Sequence, residues 1–164
     1  MEFVRLLTPE WLEISAEFYR STPKFKNEFN RLSVNICFQF TAEPDWGIDK
    51  DLTYGAFVEK GELLRLEFFS EQDAKSESEF ILSATPQEWK KILRKENKFI
   101  TDFMLGRITL PHGSKPGILK VAPHANSFVD ALTSVEIKYP DEMSQDELEE
   151  YRDYVQSFRS ELGV

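Results

Sequence analysis

The chain has 164 residues, of which 41% are hydrophobic and 30% are charged, a composition that fits a globular domain and excludes a disordered chain. Its net charge of −9 repels phosphate groups, so nucleic acid is not expected as a partner. One cysteine excludes an internal disulfide, and no window of eighteen apolar residues predicts a membrane span. We therefore expect a cytoplasmic protein without stable membrane insertion.

Two helices are predicted before the first strand. Thr8-Pro9-Glu10 combines an N-cap residue, proline at the first helical position and an acidic first turn. Thr22-Pro23 repeats this start signal for a second, shorter helix. Both N-terminal helices are expected within residues 8–32.

The apolar period changes to two at Val34, which is typical of a strand with one covered face, and Phe38 and Phe40 lie on that face. A hairpin at Gly61 joins two further strands, residues 52–59 and 62–69. In the second of these, the alternation predicts that three apolar side chains share one face: Leu64, Leu66 and Phe68.

Polar residues 70–78 are predicted to form a loop before a fourth strand at 79–84. Thr85-Pro86-Gln87-Glu88 is a capping box that begins a helix. A second amphipathic helix is predicted at 98–105, with an apolar face that includes Phe99, Ile100, Phe103 and Met104. It ends at Gly106, and residues 107–110 are expected to form a fifth strand.

The C-terminal third of the chain begins with a turn-rich loop at 111–117. Ala122-Pro123 then opens a helix whose inner face includes Phe128 and Leu132, and residues 135–139 favour a last strand. Ser144 and Glu147 form a capping box for a helix at 144–162. This helix carries an apolar stripe that must be buried against something: Leu148, Tyr151, Val155, Phe158 and Leu162.

No arrangement typical of catalysis or metal binding is found. Cys37 lies in a strand, where nothing lowers its pKa, and His112 and His124 lack partners at metal-ligand spacing. Asp102 is expected to face away from the apolar stripe of its helix. We therefore predict no catalytic residue, no metal and no cofactor. The basic residues at 90–98 fit a solvated helix face better than an anion or membrane contact.

The run from residue 79 to 110 resembles the sterol carrier protein family, also called nonspecific lipid-transfer domains. The similar parts are the helix start Thr85-Pro86-Gln87-Glu88-Trp89, the helix at 99–105, and Gly106 before the short strand. The likeness extends over about 38–132. It implies a five-stranded, mainly antiparallel sheet whose helices enclose an apolar tunnel for acyl chains or sterols, with no catalytic residues.

We therefore expect an α+β fold with helices packed on one face of that sheet and an extra C-terminal helix. Residues 1–164 form one domain, with a core at about 34–135. The resemblance implies that the chain binds or carries a lipid or another hydrophobic small molecule without catalysis. The alternative is an interaction or homodimerisation module that uses the C-terminal stripe. The predicted cavity residues are Phe38, Phe40, Leu64, Leu66, Phe68, Phe99, Phe103, Met104, Phe128 and Leu132.

Overall fold

The computed structural model describes residues 3–164. Its strands are β1 (Phe3–Arg5), β2 (Val34–Phe40), β3 (Leu52–Glu59), β4 (Glu62–Phe69), β5 (Phe80–Ala84), β6 (Thr109–His112) and β7 (Glu136–Lys138). Its α-helices are α1 (Pro9–Ser21), α2 (Pro23–Glu28), α3 (Glu71–Glu77), α4 (Pro86–Leu93), α5 (Phe99–Met104), α6 (Lys115–Val121), α7 (Ala125–Leu132) and α8 (Gln145–Leu162).

The main sheet has five strands in the order β4-β3-β2-β5-β6. Only the central β2–β5 pair is parallel, and the other neighbours run antiparallel. The expected α+β fold with a mainly antiparallel sheet is confirmed. Short strands β1 and β7 form a separate parallel pair at one side of the molecule, a pairing that the sequence did not predict.

Helix starts follow the predicted capping residues. The Thr8 hydroxyl accepts a hydrogen bond from the Trp11 amide, and the Thr85 hydroxyl accepts one from the Glu88 amide at 3.1 Å. Ser144 and Glu147 cap α8 reciprocally. These bonds satisfy amides that would otherwise lack partners in the first turn of each helix.

The predicted polar loop at 70–78 is wrong, because these residues form α3, which Ser70 caps. This helix covers the sheet face opposite the other helices, above a small apolar cluster that includes Cys37, Phe57 and Phe69. A Cβ on Gly55 would lie 2.8 Å from both the Cys37 sulfur and the Phe69 ring, so this face is tightly packed.

The segment after α5 also differs from the prediction. The fifth strand is Thr109–His112 rather than 107–110, and the predicted loop at 111–117 contains the start of α6. The Ser114 hydroxyl caps this helix by accepting from the Gly117 amide at 3.1 Å. Together, α6 and α7 lie over the same sheet face as α4 and α5.

A β-bulge in β4 reverses the expected side-chain alternation near the hairpin. Arg65 pairs with Phe57 and Leu63 pairs with Val58, so Leu64 is the extra residue and has no partner across the ladder. Leu63 therefore enters the core and Leu64 is 51% exposed. The Arg20 guanidinium donates to the Leu63 carbonyl at 3.0 and 3.1 Å, which occupies part of this open sheet edge.

The apolar stripe of α8 packs on its own chain. Tyr151 is fully buried, and its hydroxyl donates to the Leu6 carbonyl at 2.7 Å. The Phe158 ring stacks on Phe68 of β4 with centroids 5.1 Å apart. The stripe thus has an intramolecular partner except at Leu162, which is 56% exposed at the end of the helix, so the need for a partner subunit that motivated the dimerisation hypothesis is largely removed.

We predict that Tyr151→Phe lowers the free energy of unfolding by about 1–2 kcal/mol, because the buried Leu6 carbonyl loses its donor. Chemical denaturation followed by tryptophan fluorescence measures the change. Tyr154→Phe is the matched control, since its hydroxyl contacts Glu10 at the surface and its loss should change stability by less than about 0.5 kcal/mol. Equal effects of the two variants would contradict the assigned role of Tyr151.

Candidate ligand-binding cavity

An apolar cavity of about 90 Å³ lies between the sheet and helices α4, α5, α6 and α7. The floor consists of side chains from β2, β3 and β5 that alternate onto one face. These residues are Val34, Ile36, Phe38, Phe40, Tyr54, Ala56, Val58 and Leu82. The space exceeds the roughly 30 Å³ that one water occupies in the liquid, so the interior is not completely filled here.

Aromatic rings dominate the middle of the floor. Phe38 stacks on Tyr54 across the sheet at 5.1 Å and on Phe128 of α7 at 5.5 Å, and the edge of Trp89 approaches it at 5.9 Å. Phe38 belongs to a central strand and yet is only partly buried. The void above it accounts for this exposure.

Five of the ten predicted cavity residues line the void: Phe38, Phe40, Phe99, Phe128 and Leu132. The other five lie elsewhere: Leu64, Leu66, Phe68, Phe103 and Met104. The structure thus brings half of the predicted residues together at the void, and the reasons for the position of the others differ between β4 and α5.

On β4, the bulge turns Leu64 to solvent. Leu66 lines a surface cleft beside Ala16 of α1, and Phe68 packs under α8. These two side chains point to the expected face of the sheet but lie at its edge, where α1 and α8 cover them.

On α5, the predicted apolar face is too wide. Phe99 lines the cavity, and Phe103 is buried beside it with ring centroids 5.6 Å apart. Met104 follows Phe103 and points about 100° further around the helix axis, where it is 60% exposed. A stripe read from sequence cannot separate these positions, because both lie within the width of a normal apolar face.

Three cavity residues with polar atoms were missed by the sequence interpretation. Tyr54 is buried, which raises the pKa of its phenol far above the usual range. The Trp89 indole donates to the Gln39 carbonyl at 2.8 Å. His124 is half-buried on the cavity wall, with its ring edge-to-face to Phe29 at 5.1 Å. The alternation of Tyr54 with Ala56 was the available signal.

Cys37 and His112 lie outside the cavity. Cys37 is buried on the opposite sheet face, where desolvation raises its pKa to about 11. His112 is 3.0 Å from the Ser78 carbonyl through its Nε2 atom. Among residues 3–164, no cluster of three or more His, Cys, Asp or Glu side chains is arranged to hold a metal ion.

Two buried carboxyl groups connect α4 to α5 behind the cavity wall. Asp102 was expected to face away from the core but is only 1% exposed, and it accepts hydrogen bonds from Asn97 at 2.9 Å and Arg107 at 3.2 Å. Glu88 is also buried. Within residues 3–164, no donor makes a hydrogen bond to one of its two carboxyl oxygens.

Desolvation and the neighbouring Asp102 raise the pKa of Glu88 to about 7, whereas hydrogen bonding to Glu88 lowers the pKa of Asp102. A carboxyl group donates a hydrogen bond only when it is protonated. Protonated Glu88 donating to ionised Asp102 therefore accounts for the otherwise unpartnered oxygen. Protonation of Glu88 is therefore favoured as pH falls below about 7.

The raised pKa makes the stability pH-dependent. Because the folded-state pKa of Glu88 lies above its ordinary value of 4.5, the stability supplied by the protonated form is complete below about pH 4.5 and is lost as pH rises through about 7. Asp102 contributes in the opposite direction, and its stabilisation is lost as pH falls below its ordinary value of 3.8.

We predict that Glu88→Gln raises the Tm at pH 8 by roughly 2–4 °C, the shift that about 1 kcal/mol produces in a domain of this size. The variant should also lose less Tm than the wild type between pH 5 and pH 8. The amide donates to Asp102 without becoming charged. Thermal unfolding at several pH values provides the measurement. Glu96→Gln serves as control, because Glu96 is a surface residue paired with Arg94. If Glu88→Gln leaves the dependence of Tm on pH unchanged, the pKa of Glu88 is not raised in the folded protein.

None of the helices described for residues 3–164 is both long and apolar enough to cross a membrane. No protein-family model matches the sequence, and no curated protein matches it. Solved structures provide the informative comparisons.

A conserved hypothetical protein from Thermus thermophilus is 14% identical, with a TM-score of 0.71 over 84% of this chain and 94% of that chain. A crystal structure of sterol carrier protein 2 is 15% identical, with a TM-score of 0.70 over 80% and 99%. The apo form of sterol carrier protein 2 from Yarrowia lipolytica is 8% identical, with a TM-score of 0.53 over 76% and 90%. The chain therefore has the fold of a sterol-carrier-protein-like domain, as the resemblance of residues 79–110 predicted.

Proposed function

We propose that this chain binds one hydrophobic molecule, a fatty acyl chain, a sterol or a similar lipid, between its sheet and helices, and carries it without chemical change. The observation that carries this proposal is the unfilled apolar cavity over the central strand. The likeness to structures named sterol carrier protein 2 supports it, because they share the fold that places helices over this sheet face.

A ligand of this class requires the cavity to expand. Binding pockets for small molecules usually measure about 300–1,000 Å³, several times the 90 Å³ present here. The sheet wall is rigid because hydrogen bonds join its strands. The wall formed by α6 and α7 is less firmly held, since its cavity residues Val121, Ala122, Ala125 and Phe128 are only partly buried. We infer that the ligand displaces α6 and α7 outward.

The energy available from such binding is sufficient. An acyl chain that buries about 300 Å² of apolar surface gains about 7 kcal/mol at 25 cal/mol per Å². Expansion of the cavity and the loss of ligand freedom consume part of this gain, so micromolar affinity is expected. The aromatic floor presents flat rings that accept varied apolar shapes, which favours binding of a class of ligands over one compound.

The non-catalytic part of the proposal rests on the position of the reactive groups. Cys37 faces the other side of the sheet with a raised pKa, and the carboxyl pair lies behind the wall. The polar side chains on the cavity wall are Tyr54, Trp89 and His124, and the Trp89 donor is already bonded to the backbone. A nucleophile with a neighbouring base, as acyl transfer requires, is not among them.

We predict that Ala125→Phe weakens binding of a fluorescent fatty acid by at least about tenfold, because the ring occupies the space that the ligand needs. Titration in buffer measures the affinity. Asn126→Phe is the matched control, since it adds the same ring to the exposed neighbouring position of α7 and should leave affinity unchanged.

Native mass spectrometry of the purified protein provides a second test. We expect a co-purified apolar molecule on the wild-type chain and its loss from Ala125→Phe. Wild-type protein that neither retains a lipid nor binds the fluorescent fatty acid would contradict the proposed function.

A further inference from the structure

Helix α5 and the residue at its C-terminal cap expose three large apolar side chains next to one another. Ile100, Met104 and Leu105 are 39%, 60% and 63% exposed, and we call them the α5 patch. Ile100 and Met104 are one helical turn apart, so they lie on the same side of the helix. Such a cluster differs from single exposed apolar residues, which are common on protein surfaces.

The α5 patch lies on the outer side of the cavity wall. Phe99, on the inner side of the same helix, lines the cavity, and it stacks on buried Phe103. One turn of helix therefore presents an apolar residue to the cavity and another to the surroundings. A molecule that the patch contacts lies one helix diameter from the cavity.

The charge around the patch is opposite to that of the whole chain. Residues 86–124 contain eight Lys and Arg against three Asp and Glu, whereas the rest of the chain contains twelve against twenty-six. Two of the three acidic residues, Glu88 and Asp102, are buried. Four of the eight basic side chains pair with carboxylates, namely Lys90, Arg94, Lys95 and Arg107. The other four still give this segment a basic surface on a protein with a net charge of −9.

Basic side chains lie immediately beside the patch. Lys98 precedes α5, Arg107 follows it, and both are exposed. The Lys115 ammonium lies 6.0 Å from the centre of the Phe103 ring, which places the start of α6 next to α5. Within residues 3–164, Lys98 and Lys115 form no ion pair with a carboxylate, so their charge is available to an external anion.

We propose that the α5 patch docks on the surface of an anionic lipid bilayer, with Met104 and Leu105 entering the headgroup boundary and Lys98 and Lys115 contacting lipid phosphates or carboxylates. Exposed apolar side chains with unpaired lysines on the neighbouring helix ends match such an interface. A nucleic acid would attract the lysines but leave the apolar side chains without partners. The purpose of docking, exchange of a ligand with the membrane, rests on the proposed function, but docking itself is measured separately.

Vesicle co-sedimentation tests this proposal with the full chain. We expect binding to vesicles of phosphatidylcholine and phosphatidylserine mixed at about two to one, little binding to pure phosphatidylcholine, and weaker binding as salt is raised. The double variant Met104→Ser and Leu105→Ser should bind about tenfold more weakly. The control variant Leu64→Ser and Leu162→Ser removes two leucines that are 51% and 56% exposed elsewhere, and should bind as wild type.

Three results would overturn the proposal: wild-type protein that does not sediment with anionic vesicles, equal binding to neutral and anionic vesicles, or equal loss of binding in the patch and control variants. Titration with the fluorescent fatty acid in vesicle-free buffer separates docking from ligand binding. A chain that binds vesicles but no fatty acid retains the docking surface and loses the proposed function, and the converse result removes docking alone.

Discussion

The cavity depends on a local mismatch of side-chain size, in which aromatic rings on the sheet face two alanines in the helical cover. The floor presents Phe38, Phe40 and Tyr54, while α7 and the turn before it present Ala125 and Ala122. Flat rings stack on one another and cannot extend into the space that small side chains leave. The helical cover cannot approach more closely, because Phe128 already rests on Phe38 at 5.5 Å. The resulting void is a consequence of side-chain size and not of a distorted backbone.

Incomplete packing is confined to the sheet face that carries the cavity. On the other face, α3 closes over Cys37, Phe57 and Phe69, and Gly55 leaves no room for a Cβ. A fully packed layer on one side gives β2 and β3 a fixed shape. The cavity on the other side can therefore expand by movement of helices without disturbing the strands, which is the property that a carrier of apolar molecules needs.

Local signals predicted much of the fold, and the cavity could be predicted only in part. Capping residues such as Thr85 located helix starts, because a cap acts within one turn of chain. Helix α3 was missed, since Ala74 is its one buried residue and no apolar stripe indicates it. The bulge at Leu64 and the inward position of His124 arise from contacts between distant segments. Asp102 was misplaced for the same reason, because its partner Glu88 belongs to another helix.

The cavity wall formed by α4 and α5 places side chains of two short helices in three different environments. Trp89 and Phe99 face the apolar cavity, Glu88 and Asp102 form a buried carboxyl pair, and Met104 faces the surroundings. Ionisation of Glu88 places two like charges in a poorly hydrated space, so the contact between α4 and α5 is stronger when Glu88 carries its proton. The outward movement that we propose for α6 and α7 leaves this carboxyl pair intact, because both of its members belong to the other wall of the cavity.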